Sequence, residues 1–370
     1  MQPRILGTDR KSRLAFHWRA GDGLRALTGQ VGAFTRAGIG GSVVDRVGRL
    51  RTPVHSQARY EMVDLDGDGI RETPGLLLEK ATTNLCVRSE DFTNWTADGV
   101  TVTANAIAAP DGATTADLLA FTLGTNGARK QTCTFTGDGT KVLSIFVKAG
   151  TSPSSAIMIF DDTATTARGR INIVWTNGVP AATGAAGGAI LATEAVGNGW
   201  YRIAVTAPGV VAANTNRAYV YPYDVAAGGV SYTMYAWGVQ VEDAAVHSSY
   251  MATVAATQAR LDEFVSFPFL MPPGPITVLA DIIDRGTAAL ISSLRLWEIG
   301  TTSGGPGLFV YVAGSPRYDT FLLANGDVRL SQPNVAVAFG DRMKLRTGLN
   351  ADLSVLEGAT KNGAQEGLGA

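Results

Sequence analysis

The chain has 370 residues, and its 31 Lys and Arg residues nearly cancel its 32 Asp and Glu residues. This balance leaves no long-range field of one sign, which argues against nucleic acid or an anionic membrane as a partner. The length exceeds what one core of ordinary size accommodates, so we expect two or three domains. Only 17% of the residues are charged and 44 are glycine, which favours an all-β fold.

The two cysteines and the hydropathy pattern exclude several further classes of protein. Cys86 and Cys133 are too few for a disulfide framework or a four-thiolate zinc site, and we expect both to be unpaired and buried. No apolar run follows Met1, and no stretch reaches the roughly 18 uncharged apolar residues of a membrane span. We therefore expect a protein made in a cytoplasm, which leaves the cell only by lysis or within an assembled particle.

Residues 1–80 carry many arginines between short apolar pieces such as Val43-Val44. No self-sufficient core is visible in this region. Two structures would account for the pattern: an extended arm that becomes ordered on a partner, or a few edge strands packed on the next domain. We assign residues 1–80 as an N-terminal arm for attachment, with the packed strands as an equal alternative.

One motif in this region resembles a calcium loop. Asp64, Asp66 and Asp68 place carboxylates at loop positions 1, 3 and 5, with a glycine at position 6. Position 12 is Gly75, so the bidentate glutamate that completes such a site is absent, and Glu72 or Glu79 would have to substitute for it from a different geometry. Asp-Gly is also a favoured hairpin turn. We favour the turn and keep the three aspartates as possible calcium ligands.

From residue 81 to 262 the chain is a succession of short predicted strands separated by Gly, Asn and Asp turns. Residues 99–104 alternate, residues 141–148 are rich in β-formers, and residues 171–175 end at Asn177-Gly178, a strong turn signal. This pattern predicts a jelly-roll sandwich rather than alternating βαβ units.

Repeated prolines mark residues 263–275 as a linker, because each removes a backbone donor. After it, residues 276–282, 308–312 and 319–323 predict further strands. We therefore expect a second β-sandwich-like domain over 276–370, which is small or incomplete at this length.

Candidate catalytic groups are few. The three histidines lie far from any recognised nucleophile motif. Three carboxylate pairs could in principle flank a glycosidic bond: Glu90-Asp91, Asp161-Asp162 and Glu242-Asp243. Adjacent residues of a strand point to opposite faces, so such pairs are more typical of solvated turns. We expect no enzymatic activity, and a depolymerase is the least favoured alternative.

Aromatic side chains offer another kind of site, because an exposed flat ring with a polar edge can bind a sugar. The candidates are Trp95, Trp175, Trp200, Tyr221, Tyr223 and Trp237. Trp200 and Trp237 lie within the strongest strand patterns and are expected in the core. Tyr221 and Tyr223 are two residues apart, which would place them on one face of a strand, and they are the predicted carbohydrate-binding pair.

Several short phrases follow one another in a fixed order between residues 30 and 262. They are residues 34–37, 44–45, 75–79, 83–85, 89–95, 110–117, 143–149, 199–202 and 235–242, followed by Ser249-Tyr250 and Arg260. In this ordered combination they closely resemble phage head-spike and tail-fibre structural proteins, although each phrase alone is weak.

The resemblance implies a jelly-roll module similar to a carbohydrate-binding module, in a virion protein that is commonly trimeric. It brings no catalytic residues. The expected role is a spike or fibre subunit that decorates the head or tail and anchors to other virion proteins through its N-terminal region. The alternative is a receptor-binding protein for a host surface polysaccharide. The segment after residue 275 resembles the start of a laminin-G or concanavalin-like sandwich.

Overall fold

A computed structural model of the chain describes residues 33–35, 41–52, 57–63, 73–77, 79, 81–121, 127–223, 231–261, 263–266, 276–283, 293–300, 307–313, 317–324, 327–336, 342–349, 355–361 and 364–366. Their regular structure is antiparallel β-strand, apart from one 3-10 helix at Phe92–Asn94. Among these residues, no helix is long and apolar enough to span a membrane. The predicted all-β class is confirmed.

Four pairs of short strands flank the main sheets. They are β1 (Ala33–Thr35) with β20 (Phe264–Ser266), β2 (Val43–Val44) with β3 (Leu50–Arg51), β4 (Arg59–Val63) with β5 (Thr73–Leu77), and β6 (Thr82–Asn84) with β19 (Gln258–Arg260). Two of these pairs join the beginning of the described chain to the segment that follows the jelly roll. The chain therefore closes on itself around the module.

Two six-stranded antiparallel sheets form the module. In spatial order, the first sheet contains β14 (Val179–Ala186), β13 (Thr166–Thr176), β12 (Ser154–Asp161), β17 (Asn216–Tyr221), β10 (Ala128–Cys133) and β7 (Thr96–Asp98). The second sheet contains β15 (Ile190–Ala195), β16 (Trp200–Val210), β11 (Gly139–Ala149), β18 (Tyr232–Glu242), β9 (Ala116–Phe121) and β8 (Val100–Ile107). The predicted jelly-roll sandwich is thereby confirmed.

The core between the sheets follows from the alternation of side chains along each strand. Ile145 and Val147 of β11 face Ile157 and Ile159 of β12 across the sandwich within one continuous cluster, and all four are 0% exposed. Full burial of such a side chain contributes roughly 1.5–3 kcal/mol relative to its exposure to water. The core therefore sits where the strongest strand patterns of the sequence place it.

A second, smaller core covers the other face of the second sheet. Phe146 and Trp237, whose neighbours along the strand face the main core, pack here against Val44 and Leu50 of the β2–β3 hairpin. The hairpin is held by the amide of Leu50, which donates to the carbonyl of Pro110 at 3.2 Å. Residues 41–52 thus belong to the same folded unit as the jelly roll, on the N-terminal side of the boundary predicted at residue 81. Residues 1–32 lie outside the described residues.

A buried arginine–glutamate cluster ties the N-terminal strands to the segment that ends the module. Arg59 of β4 donates to both carboxylate oxygens of Glu263, at 2.8 and 2.5 Å, and to Glu79 at 2.6 Å. Arg260 of β19 lies 2.9 Å from the same oxygen of Glu79. Ser249 donates its backbone amide and its hydroxyl to Glu79. Because the Arg59 side chain is 0% exposed, these contacts replace the water that the charges lose on folding.

The C-terminal part contains two four-stranded antiparallel sheets. One has the order β21 (Ile276–Ile283), β26 (Arg342–Leu349), β27 (Val355–Lys361) and β28 (Ala364–Glu366), and the other the order β22 (Ser293–Gly300), β23 (Gly307–Ala313), β24 (Arg317–Ala324) and β25 (Asp327–Ala336). This agrees with the β-sandwich-like segment predicted after the linker. Residues 267–275 of that linker lie outside the described residues.

The first prediction concerns the cluster's central cation. Arg59→Met leaves the carboxylates of Glu79 and Glu263 without their shared partner, and we expect the free energy of unfolding to fall by about 3–5 kcal/mol. Urea unfolding followed by tryptophan fluorescence measures the change. Arg46→Met, at an exposed position on the β2–β3 turn, is the matched control. If Arg59→Met lowers the free energy of unfolding by less than about 1 kcal/mol, the contribution of the cluster is no larger than that of a surface salt bridge, and the prediction is wrong.

The second prediction concerns pH. Burial alone would raise the pKa of the Glu79 carboxyl, but the charges of Arg260 and Arg59 and the hydrogen bonds from Ser249 hold it far below its usual value. The stabilisation is therefore complete above the unfolded-state pKa of about 4.3 and is lost as the pH falls below it. We expect the free energy of unfolding to fall progressively from about pH 5 downwards, most steeply below about pH 4, and less steeply in Glu79→Gln. Equal slopes in urea unfolding would rule out this role for Glu79.

Candidate binding face

The face of the first sheet that points away from the main core carries a row of aromatic and cationic side chains. In the strand register, Tyr219 of β17 lies directly opposite Lys130 of β10 and Met158 of β12, and directly opposite residues share a face. Tyr221 is two residues further along β17 and therefore faces the same way, while the alternate residues Ala218 and Val220 point into the main core. We call this surface the outer tyrosine face: Lys130, Met158, Phe160, Arg170, Tyr219 and Tyr221.

The two tyrosine rings of this face lie parallel. Their centroids are 5.8 Å apart with an interplanar angle of 9°. Phe160 meets Tyr219 edge-on at 6.0 Å. Each tyrosine is 9% exposed, because neighbouring side chains cover the ring faces. The two rings are therefore close-packed and largely buried.

Cations complete the face. The Lys130 ammonium lies 5.6 Å from the centroid of the Tyr219 ring, and the Arg170 guanidinium lies 5.5 Å from that of Tyr221. Lys130 is also 3.4 Å from a carboxylate oxygen of Asp98. Burial raises the pKa of Tyr221 to about 12, and the opposing charge of Arg170 only partly offsets it. The Tyr221 hydroxyl therefore remains a neutral hydrogen-bonding group at physiological pH.

The predicted pair Tyr221 and Tyr223 does not share one face. β17 ends at Tyr221, so Tyr223 lies beyond the strand, where strict alternation no longer applies. Tyr223 stacks on Tyr232 at 4.3 Å and packs against the core between the sheets, 5.9 Å from Phe121. The neighbour of Tyr221 on the outer tyrosine face is instead Tyr219. The same two-residue spacing would have identified Tyr219, because both residues lie inside the strand.

The tryptophans are structural. Trp200 and Trp237 are 1% and 2% exposed, which confirms their predicted burial. The indole of Trp200 donates to the carbonyl of Ala108 at 3.0 Å, and that of Trp237 donates to the hydroxyl of Thr115 at 3.0 Å. Trp95 is 3% exposed. Trp175, which is half-buried, packs against the main core. None of the four forms an exposed platform.

The possible calcium ligands Asp64, Asp66 and Asp68 lie outside the described residues. Of the two substitute ligands for that loop, Glu72 also lies outside the described residues, and Glu79 is held by two arginines in the arginine–glutamate cluster. Within the part of the chain that the structure describes, no group of three or more His, Cys, Asp or Glu side chains is arranged to hold a metal. Calcium binding by Asp64, Asp66 and Asp68 therefore stays a prediction from the sequence.

Cys86 and Cys133 are both free and buried, as predicted. Burial raises the pKa of both thiols, that of Cys133 to about 12. A thiol with so high a pKa is a poor nucleophile, because the thiolate is the reactive form. Both cysteines serve as small core residues between the sheets.

The carboxylate pairs are occupied by contacts within the chain. Each of the six carboxylates has a partner within the chain. Three of them form salt bridges: Asp161 with Arg168, Asp162 with Arg217, and Asp243 with Lys141. The hydrogen-bond donors are the Tyr250 hydroxyl to Glu90, the Thr93 amide to Asp91, Thr82 and Ser248 to Glu242, and Thr136 to Asp243. These contacts cap turns and join neighbouring strands. They give each pair a structural use.

The chain has little detectable similarity to known proteins. No family model matches the chain, and no curated protein matches it. Among solved structures, the chain is similar to a β-1,3-glucan binding CBM6 from Bacillus halodurans, with 11% sequence identity, a TM-score of 0.27 and coverage of 44% of this chain and 94% of that chain. Similarity at this level is too low to argue from, and the fold assignment rests on the sheet topology described above.

Proposed function

We propose that the chain is a structural subunit of a bacteriophage virion, a spike or fibre protein displayed on the head or the tail. The observation that carries the proposal is the ordered set of phrases that resembles head-spike and tail-fibre proteins. In the folded chain these phrases meet one another. Glu79 of the third phrase contacts Ser249 and Arg260 of the last, and Asn84 donates to the carbonyl of Val239 at 3.1 Å.

These contacts between the phrases support the proposal, because they explain why the phrases occur together in one chain. A polar residue buried in one phrase needs its partner in another, since an unpaired buried polar group costs several kcal/mol. Asp117 of residues 110–117, for example, accepts from the amide of Phe92 in residues 89–95 at 2.9 Å. The phrases therefore belong to one folded module in this chain.

In the proposed function the jelly roll is a non-enzymatic display module. It assembles as a homotrimer, and the residues that precede the β2–β3 hairpin attach it to other virion proteins. The protein is made in the host cytoplasm and works in the virion. Neither nucleic acid nor a membrane is among its partners, in keeping with the balanced charge.

The third prediction tests attachment. A chain that lacks residues 1–30 keeps every strand of the module, so we expect it to fold normally but to be absent from assembled particles. Copy number per particle is measured by quantitative mass spectrometry, and electron microscopy of wild-type particles is expected to show three copies at each site. The melting temperature of the purified truncated chain is the control for folding. Particles that hold normal amounts of the truncated chain would refute N-terminal attachment.

A second candidate function is recognition of a host surface polysaccharide. The outer tyrosine face favours it, because this face combines two parallel aromatic rings with two cations that lie over them, Lys130 and Arg170. Polar groups around aromatic rings can bind sugar hydroxyls. In this function the same chain carries both a virion attachment region and a receptor-binding module.

The fourth prediction tests that candidate. We expect the purified protein to bind at least one polysaccharide on a bacterial glycan array, and the double variant Tyr219→Ala, Tyr221→Ala to bind it at least ten-fold more weakly. Ten-fold corresponds to about 1.4 kcal/mol, the scale of one lost interface residue. Val254→Ser, at a position that is 76% exposed, is the control. Unchanged binding by the double variant would exclude the outer tyrosine face as the sugar site.

A further inference from the structure

A pocket of about 360 Å³ opens on the side of the module opposite the outer tyrosine face. It lies on the second sheet beside the β2–β3 hairpin, and its main lining residues are Arg49, Ile107, Ala109, Lys148, Asn198 and Tyr235. The volume is at the lower end of the range for small-molecule sites. It therefore suits one or two small rings.

The strand register places two of these side chains next to each other. Lys148 of β11 lies directly opposite Tyr235 of β18, and directly opposite residues point to the same face of a sheet. Lys148 is also opposite Trp200, which is buried beneath the same region. The base of the pocket is therefore part of the rigid sheet.

The walls of the pocket are fixed by hydrogen bonds. The indole of Trp200 donates to the carbonyl of Ala108 at 3.0 Å, and the amide of Leu50 donates to the carbonyl of Pro110 at 3.2 Å. The second bond joins the hairpin to the loop that forms the opposite wall. A pocket whose walls are held in this way loses little entropy when a ligand binds.

The charge of the lining has one sign. Arg49 and Lys148 are the charged members of the lining, and no carboxylate is among its residues. The Lys148 ammonium donates to the carbonyl of Asn198 at 2.8 Å, which uses one of its three donors. The backbone amide of Arg49 donates to Asp45, which positions the residue at the rim. The pocket thus offers cationic donors to an anionic group.

The remaining lining is apolar. Tyr235 and Ile107 are half-buried and pack at the edge of the second core, with Ala109 buried beside them. A bare inorganic anion would make no use of these side chains, whereas the apolar face of a sugar ring fits them. We propose that this pocket binds a carboxylated sugar, such as one uronic acid unit of an acidic polysaccharide. The inference goes beyond the proposed virion role and does not depend on where the chain is assembled.

The fifth prediction tests this site on the full chain by calorimetric titration. A tetrasaccharide of glucuronic acid units is expected to bind, and a glucose tetrasaccharide of the same linkage to bind at least ten-fold more weakly. We expect Arg49→Met and Lys148→Met each to weaken binding of the acidic tetrasaccharide at least ten-fold, because each removes a charge and keeps an apolar stem. Arg46→Met, on the same hairpin turn, is the matched control and should bind as the wild type does.

Each contrary result overturns the inference. Equal affinity for the neutral tetrasaccharide, wild-type affinity in both methionine variants, or no binding of the acidic tetrasaccharide would each do so. Inorganic phosphate is the third probe, and full competition by phosphate at the same concentration would show a site for a bare anion instead. Wild-type melting temperatures of the variants exclude unfolding as the cause of a loss. We expect particle incorporation to be unchanged in both variants, so failure of the binding test would leave the proposed virion function standing.

Discussion

The module depends on the burial of charge in the arginine–glutamate cluster. A buried ion pair need not stabilise a protein, because its desolvation offsets much of the attraction, but removal of one partner leaves an uncompensated charge. Arg59 and Glu263 are 204 positions apart, and Glu79 and Ser249 are 170 positions apart. The cluster therefore specifies which distant segments must meet. The cluster favours this arrangement of the chain ends around the sandwich, since another arrangement would leave a buried charge without its partner.

The two sheets differ in what covers them, and this difference locates the candidate sites. The second sheet is covered on both faces, by the first sheet and by the β2–β3 hairpin, and β11 is accordingly buried over most of its length. The first sheet turns one face to the main core. Its other face presents the outer tyrosine face, while the pocket beside Lys148 lies on the outer side of the second sheet, next to the hairpin. The two sites are thus on opposite sides of the module.

Local patterns in the sequence predict the fold better than the site. The strand over 141–148 and the burial of Trp200 and Trp237 follow from alternation, which depends on near neighbours alone. Tyr223 was assigned to the face of Tyr221 because the end of the strand was not recognised, although Pro222 stands between the two residues. The arginine–glutamate cluster and the pocket could not be predicted, because their members come from segments that only the fold brings together.

The distance between the members of the cluster also affects how the chain folds as it is synthesised. Glu79 emerges from the ribosome 184 residues before Glu263, an interval on the order of ten to forty seconds at usual rates of translation. During that time the β2–β3 hairpin lacks most of the sheet that buries its apolar side chains, and Arg59 lacks its main acceptor. Closure of the chain ends is thus a late, non-local event, which is slow in β-rich proteins. Until then the nascent chain exposes apolar strands, so its yield in a cell depends on protection from aggregation during translation.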